Sequence, residues 1–148
     1  MKRNHVTEII AALFILLFVY TATSKLLEFY SFRTVLSRSP LIGKNAFLLA
    51  WVLPLAELVI ALLLFFPRSR RLGLWASLGL MVLFTAYLGY MITFASHLPC
   101  SCGGVIRHMT WTQHLVFNFF FTLLALTAIW WEKRRSRPSD RVIYSATA

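Results

Sequence analysis

The sequence predicts an all-α integral membrane protein, a bundle of four transmembrane helices. Three observations carry that expectation. Hydrophobic residues make up 59% of the 148-residue chain and aromatic residues 16%, with a mean hydropathy of +0.70; a soluble domain of that composition would leave large apolar patches in water. The apolar residues gather into four runs, each long enough for the about 20 residues that a spanning helix needs. No run alternates with the period of a barrel strand, and backbone groups in hydrocarbon must bond internally, so each run reads as a helix.

The first run covers residues 6–27. Lys2, Arg3 and the apolar stretch from Ile9 to Tyr20 also have the form of a secretory signal, with Thr21, Ala22 and Thr23 as a weak cleavage context. The apolar character resumes at Leu26 and Leu27, and removal of the segment would leave three spans with the two ends on opposite sides. It is therefore read as a retained helix. A loop over 28–45, with Arg33, Arg38 and Lys44, leads to the second run at 46–66, which contains Glu57. A short basic turn with Arg68, Arg70 and Arg71 opens the third run at 72–94, where Gly73, Gly79 and Gly89 are expected to permit close helix packing. A loop over 95–110 precedes the fourth run at 111–131. Residues 1–132 read as one transmembrane domain without internal repeats, and 133–148 as a basic, solvated cytoplasmic tail.

Fifteen Lys and Arg against five Asp and Glu give a net charge of +10. These cations lie just outside the apolar runs instead of forming a stripe on a polar fold, so they indicate membrane orientation and not a nucleic-acid partner. Lys2, Arg3, the turn arginines and the tail residues Lys133, Arg134, Arg135, Arg137 and Arg141 share one side of a four-span chain. That side is expected to be cytoplasmic, with both termini on it, in a bacterial inner membrane. Five tryptophans, Trp51, Trp75, Trp111, Trp130 and Trp131, read as interfacial anchors and lipid-facing bulk.

The loop at 95–110 then faces the extracytoplasmic compartment, where a disulfide can persist. It holds both cysteines of the chain, Cys100 and Cys102, with Pro99 before them and Gly103 and Gly104 after. The reactive species in thiol exchange is the thiolate, favoured by nearby positive charge, which His97, Arg107 and His108 can supply. A disulfide across one intervening residue closes a small, constrained ring, and strain makes such a bond more reducible. Two other readings stand beside redox exchange. A structural staple over so short a loop would remove little chain entropy. Metal binding would use Cys100, Cys102, His97 and His108, with Met109 and His114 close by; thiolate, imidazole and thioether suit Cu(I), and two Cys with two His suit zinc.

Polar residues inside the spans add a second group of candidates. Glu57 falls near mid-bilayer, where an ionised carboxylate is costly and is normally paired, protonated or buried in the bundle. Lys25 is its candidate cation, although a lysine near the end of a span can also snorkel to the headgroups. Glu57 is expected either to fix helix packing through Tyr20, Thr21 or Ser24, or to relay protons. His114 and Asn118 are four residues apart and share a helix face, which points inward if Trp111 and Phe117 face lipid or loop. His114 can exchange a proton with Cys100 or Cys102, or donate to a quinone oxygen, since imidazole titrates near neutral pH; capping a loop carbonyl is the alternative.

The segment 98–107, LPCSCGGVIR, followed by 110–118, TWTQHLVFN, resembles the DoxX-like redox-associated membrane proteins that include the methylamine utilisation protein MauE. Ser24, Lys25 and Leu26 with Phe29 or Phe32, and the segment 53–58, LPLAEL, look similar as well. The resemblance spans residues 8–131, and its most specific part is the cysteine loop with the helix that follows. It implies a small four-helix membrane protein that assists disulfide chemistry in extracytoplasmic partners, a role associated in MauE with maturation of a disulfide-rich enzyme subunit. The architecture is also similar to that of the DsbB and vitamin K epoxide reductase type, which pass electrons from cysteines to a quinone. Those proteins use a Cys-x-x-Cys pair and usually a second shuttle pair, from which the lone Cys100 and Cys102 depart.

The expectation is a thiol-disulfide redox protein that exchanges a Cys100–Cys102 disulfide with a thioredoxin-like or maturing partner. His114 would handle protons, and Glu57 and Asn118 would hold a quinone or relay protons. The alternatives are an extracytoplasmic copper or zinc handling protein and a non-catalytic subunit of a membrane complex.

Overall fold

A computed structural model of the chain describes residues 5–39, 42–94 and 111–135. Among the described residues there are five α-helices and no strand: α1 (His5–Leu27), α2 (Phe29–Ser37), α3 (Ala46–Phe65), α4 (Arg70–Phe94) and α5 (Trp111–Arg135), with a single 3-10 turn at Gly43–Asn45. Helices α1, α3, α4 and α5 are long and apolar enough to cross a membrane. The expected all-α membrane bundle is the fold found.

The core forms where the four long helices face one another. Ile10, Phe14 and Phe18 of α1 meet Ile60 and Leu64 of α3, Leu74 and Met81 of α4, and Ala125 and Ala128 of α5. Phe14 is fully buried, 5.4 Å from the Phe121 ring in an edge-to-face contact. Small residues at the helix seams, among them Ala11, Ala61, Ala125 and Ala128, bring the backbones close, as membrane bundles require when hydrophobic transfer supplies no drive for helix association. The opposite faces carry Leu16, Leu62, Leu83 and Val116 outward, an apolar exterior suited to lipid. Several hydroxyls within the spans are satisfied by their own helices: Ser77 donates to the Gly73 carbonyl at 2.7 Å and Thr122 to that of Asn118 at 2.8 Å.

One end of the bundle is fastened at the turn between α3 and α4. Ser69 Oγ donates to the Leu63 carbonyl at 2.8 Å, Arg70 Nε to that of Leu64 at 3.4 Å, and the Arg70 guanidinium lies 3.8 Å from the Glu8 carboxylate of α1. Arg70 thus starts α4 earlier than the apolar run alone predicts. Gly73 is needed for close approach here, because a Cβ would come within 2.9 Å of the Leu64 nitrogen.

The other end departs from expectation. The stretch read as a loop over 28–45 contains α2, which continues almost directly from α1: Glu28 N donates to Ser24 O at 3.0 Å and Phe32 N to Glu28 O at 2.9 Å. Phe29, Phe32 and Leu36 recur at helical spacing and pack against Ala46 and Ala50 at the start of α3. Phe29 also lies 5.0 Å from the Trp51 ring. Tyr30 and Arg33 face outward. The return to α3 brings Gly43 so close to Ser37 that a Cβ would sit 2.6 Å from its carbonyl oxygen.

Helix α5 runs on to Arg135, past the apolar run. The Arg134 guanidinium covers the Trp130 ring at 3.8 Å, an i, i+4 pair that favours continued helix there.

Candidate functional site

Thr21 and Lys25, one turn apart on α1, face α3. The lysine does not snorkel outward. Its side chain is 14% exposed and its ammonium is ion-paired with Glu57 Oε1, while Thr21 Oγ1 donates to Oε2 at 3.2 Å. Two aromatic rings flank the ammonium, Phe84 at 5.3 Å and Phe32 at 5.8 Å to the ring centroid. Inward pairing prevails because Glu57, with 1% of its side chain exposed, would otherwise be an uncompensated charge in the bundle. Of the hydroxyls expected near Glu57, Thr21 makes the bond, whereas Tyr20 is 51% exposed on the outer face.

Glu57 sits on a helix interrupted by chemistry one turn earlier. Pro54, buried within α3, cannot donate to the Ala50 carbonyl, so α3 is locally weakened just before its charged residue.

A cavity of about 230 Å³ adjoins this pair. Lys25 and Glu57 line it together with His114 and Asn118, so the structure brings Glu57, His114 and Asn118 around one space. The expected shared face of His114 and Asn118 does point inward. The face points inward although Phe117 does not turn to lipid or loop: it lines the same cavity, its ring centroid 4.7 Å from that of Phe121. Helix α2 forms part of the wall through Phe32 and Leu36, a contribution that a loop reading of 28–45 does not contain. His114 is half-buried and within electrostatic reach of Lys25. Asn118 is 3% exposed, and its Nδ2 has no hydrogen-bond partner among the described residues.

A mostly carbon wall with a few convergent polar groups is the pattern of a small-molecule site. The volume is below the about 300–1,000 Å³ of sites that enclose drug-sized ligands. It suits one substituted ring and not a long tail. A quinone headgroup fits the donor set: its carbonyl oxygens accept hydrogen bonds, and Asn118 has a donor to spare. Among the described residues no group of three or more His, Cys, Asp or Glu could hold a metal ion.

Cys100 and Cys102, like the alternative metal ligands His97 and His108 and the neighbouring Arg107 and Met109, lie outside the described residues. Their segment leaves α4 after Phe94 and joins α5 at Trp111. Those are the helix ends nearest in sequence to the cavity residues Tyr87, Leu88, His114 and Asn118.

The family model for the methylamine utilisation protein MauE matches residues 3–131. The chain belongs to the MauE family. It is an integral membrane protein by family and by its four apolar helices. The MauE match takes in Lys25, Glu57, both cysteines, His114 and Asn118. No curated protein and no solved structure matches the chain.

Proposed function

We propose that this MauE-family protein is a membrane thiol-disulfide redox protein. It exchanges a Cys100–Cys102 disulfide on the extracytoplasmic side with a thioredoxin-like or maturing partner, and passes the electrons to a membrane quinone. The observation that carries the reading is the cavity that collects Lys25, Glu57, His114 and Asn118 beside the ends of the helices that carry the cysteine segment. The family description, methylamine utilisation, is compatible with an accessory role in the maturation of an extracytoplasmic enzyme.

In the first half of the cycle a partner thiolate attacks one sulfur of the Cys100–Cys102 disulfide. A mixed disulfide forms and the other cysteine leaves as a thiolate, stabilised by Arg107 or a histidine of the segment. The second partner thiol resolves the mixed disulfide, so the partner is oxidised and both cysteines are reduced. In the second half, re-forming the Cys100–Cys102 bond releases two electrons and two protons. A bound quinone supplies the capacity to accept both. His114 takes the proton from the attacking cysteine, and the Lys25–Glu57 pair keeps a polar, proton-exchanging wall in an otherwise apolar cavity.

Thiol trapping tests the exchange. With Cys100→Ser and Cys102→Ser made separately, one variant accumulates a mixed disulfide with an extracytoplasmic protein, because its resolving thiol is gone. Co-purified copper or zinc that depends on Cys100, Cys102, His97 and His108 would replace this reading with metal handling. Full function of the double serine variant would leave only a non-catalytic subunit.

A further inference from the structure

Among the described residues the Asn118 amide is a fully buried, unspent donor of the cavity. The Lys25 ammonium is engaged by Glu57, and Thr21 by the same carboxylate, whereas Asn118 Nδ2 is buried with no partner among the described residues. An unpaired donor at 3% exposure disfavours the empty fold, and an apolar residue of similar size would be the stabler occupant of that position. Its value lies in what it can bind.

The route to Asn118 is also marked. Leu83 lines the cavity and is 59% exposed, which puts the rim of the cavity on the apolar exterior of the bundle along α4. Helices α3 and α4 are in tight contact at their turn, where Gly73 meets Leu64, and the cavity lies toward the opposite end, where Leu49 and Leu53 of α3 face Phe84 and Tyr87 of α4 across it. An opening on the exterior of a membrane bundle admits a ligand from lipid.

We infer that Asn118 anchors the carbonyl oxygen of a hydrocarbon-tailed ligand that comes in sideways from the bilayer past Leu83, its ring in the cavity and its tail left in lipid. The inference rests on the function proposed above in taking a quinone as the ligand. It adds the anchoring group and the direction of approach.

Binding is measured on the full chain carrying Cys100→Ser and Cys102→Ser, so that thiol chemistry has no part in it, with decyl-ubiquinone as the tailed probe and duroquinone as the tail-less one. Asn118→Leu is expected to weaken decyl-ubiquinone binding roughly tenfold or more, the loss of one buried hydrogen bond, while the ligand-free protein melts at the same temperature or higher. Asn118→Thr, whose hydroxyl can turn to its own helix, gives the same loss if the leucine variant fails to fold. Leu83→Trp is expected to slow association of decyl-ubiquinone and leave that of duroquinone much less affected. Wild-type affinity in Asn118→Leu or Asn118→Thr would overturn the anchor and leave the proposed function intact. Failure of the unsubstituted cavity to take up decyl-ubiquinone would overturn the inference together with the electron acceptor of that function, but not the thiol exchange, which trapping reads separately.

Discussion

Lys25 of α1 and Glu57 of α3 form an ion pair inside the helix bundle, with Thr21 donating to the second carboxylate oxygen. Breaking a buried pair from one side leaves the other charge without compensation, at about 3–5 kcal/mol, whereas removing both charges can be nearly neutral. Lys25→Met and Glu57→Leu are therefore each expected to lower stability by about that amount, and the double variant to recover most of the loss. Equilibrium unfolding in detergent checks this. Additive losses in the double variant would show that the two residues do not stabilise the fold through each other.

His114 borders the cavity at the start of α5, half-buried and four residues before Asn118. If it is the proton acceptor for the attacking cysteine, as proposed, it would contribute a factor of about 10² or more to disulfide re-formation. His114→Ala is expected to slow re-formation by roughly that factor, with thermal stability little changed, and added imidazole to restore part of the rate. Gel-shift kinetics of thiol alkylation provide the measurement. A loop-capping histidine would show lost stability and no rescue.

Gly73 and Gly79 lie on the same helix in different surroundings. A Cβ at Gly73 would meet the Leu64 backbone nitrogen at 2.9 Å, while at Gly79 nothing lies within 4 Å. Gly73→Ala is expected to cost about 1–3 kcal/mol through forced separation of α3 and α4. Gly79→Ala should be neutral or slightly stabilising, since alanine is the better helix former. Thermal unfolding of the two variants side by side decides it.

Phe14 is fully buried and contacts both Phe18 and Phe121. Phe14→Ala is expected to cost about 3 kcal/mol, near the low end for buried phenylalanine because lipid offers an apolar alternative to the side chain and only packing is lost. Unfolding in detergent checks the value, with an exposed position such as Leu16→Ala as the neutral comparison.

The four spans were legible because a long apolar run has few alternatives to a membrane helix. Helix α2 was not, since its nine residues are too short to span and Arg33, Arg38 and Lys44 give the segment the look of a polar loop. The period of Phe29, Phe32 and Leu36 was the signal that could have found it. The start of α4 at Arg70 and the end of α5 at Arg135 depend on contacts of arginine side chains with a carbonyl, a carboxylate and an indole ring, which hydropathy does not encode. At the site, Glu57, His114 and Asn118 stood out as polar residues in apolar surroundings. That they share a cavity was beyond sequence, because it depends on how α1, α3, α4 and α5 pack. The choice of Lys25 between headgroups and Glu57 was settled by the same packing. Which way Phe117 turns was not legible, because lipid-facing and cavity-facing phenylalanines have the same chemistry.

The most direct test of electron transfer from the cysteine pair is the redox state of Cys100 and Cys102 in sealed vesicles of known orientation, followed with a membrane-impermeant maleimide after addition of decyl-ubiquinone to the reduced protein. The account predicts that both thiols react from the extracytoplasmic side in an aliquot labelled before the quinone is added, and that neither reacts in aliquots labelled afterwards, because the disulfide has re-formed, with one quinol produced per protein. Thiols that still react after the quinone is added, or that react only from the side of the basic Arg68, Arg70 and Arg71 turn, would contradict it.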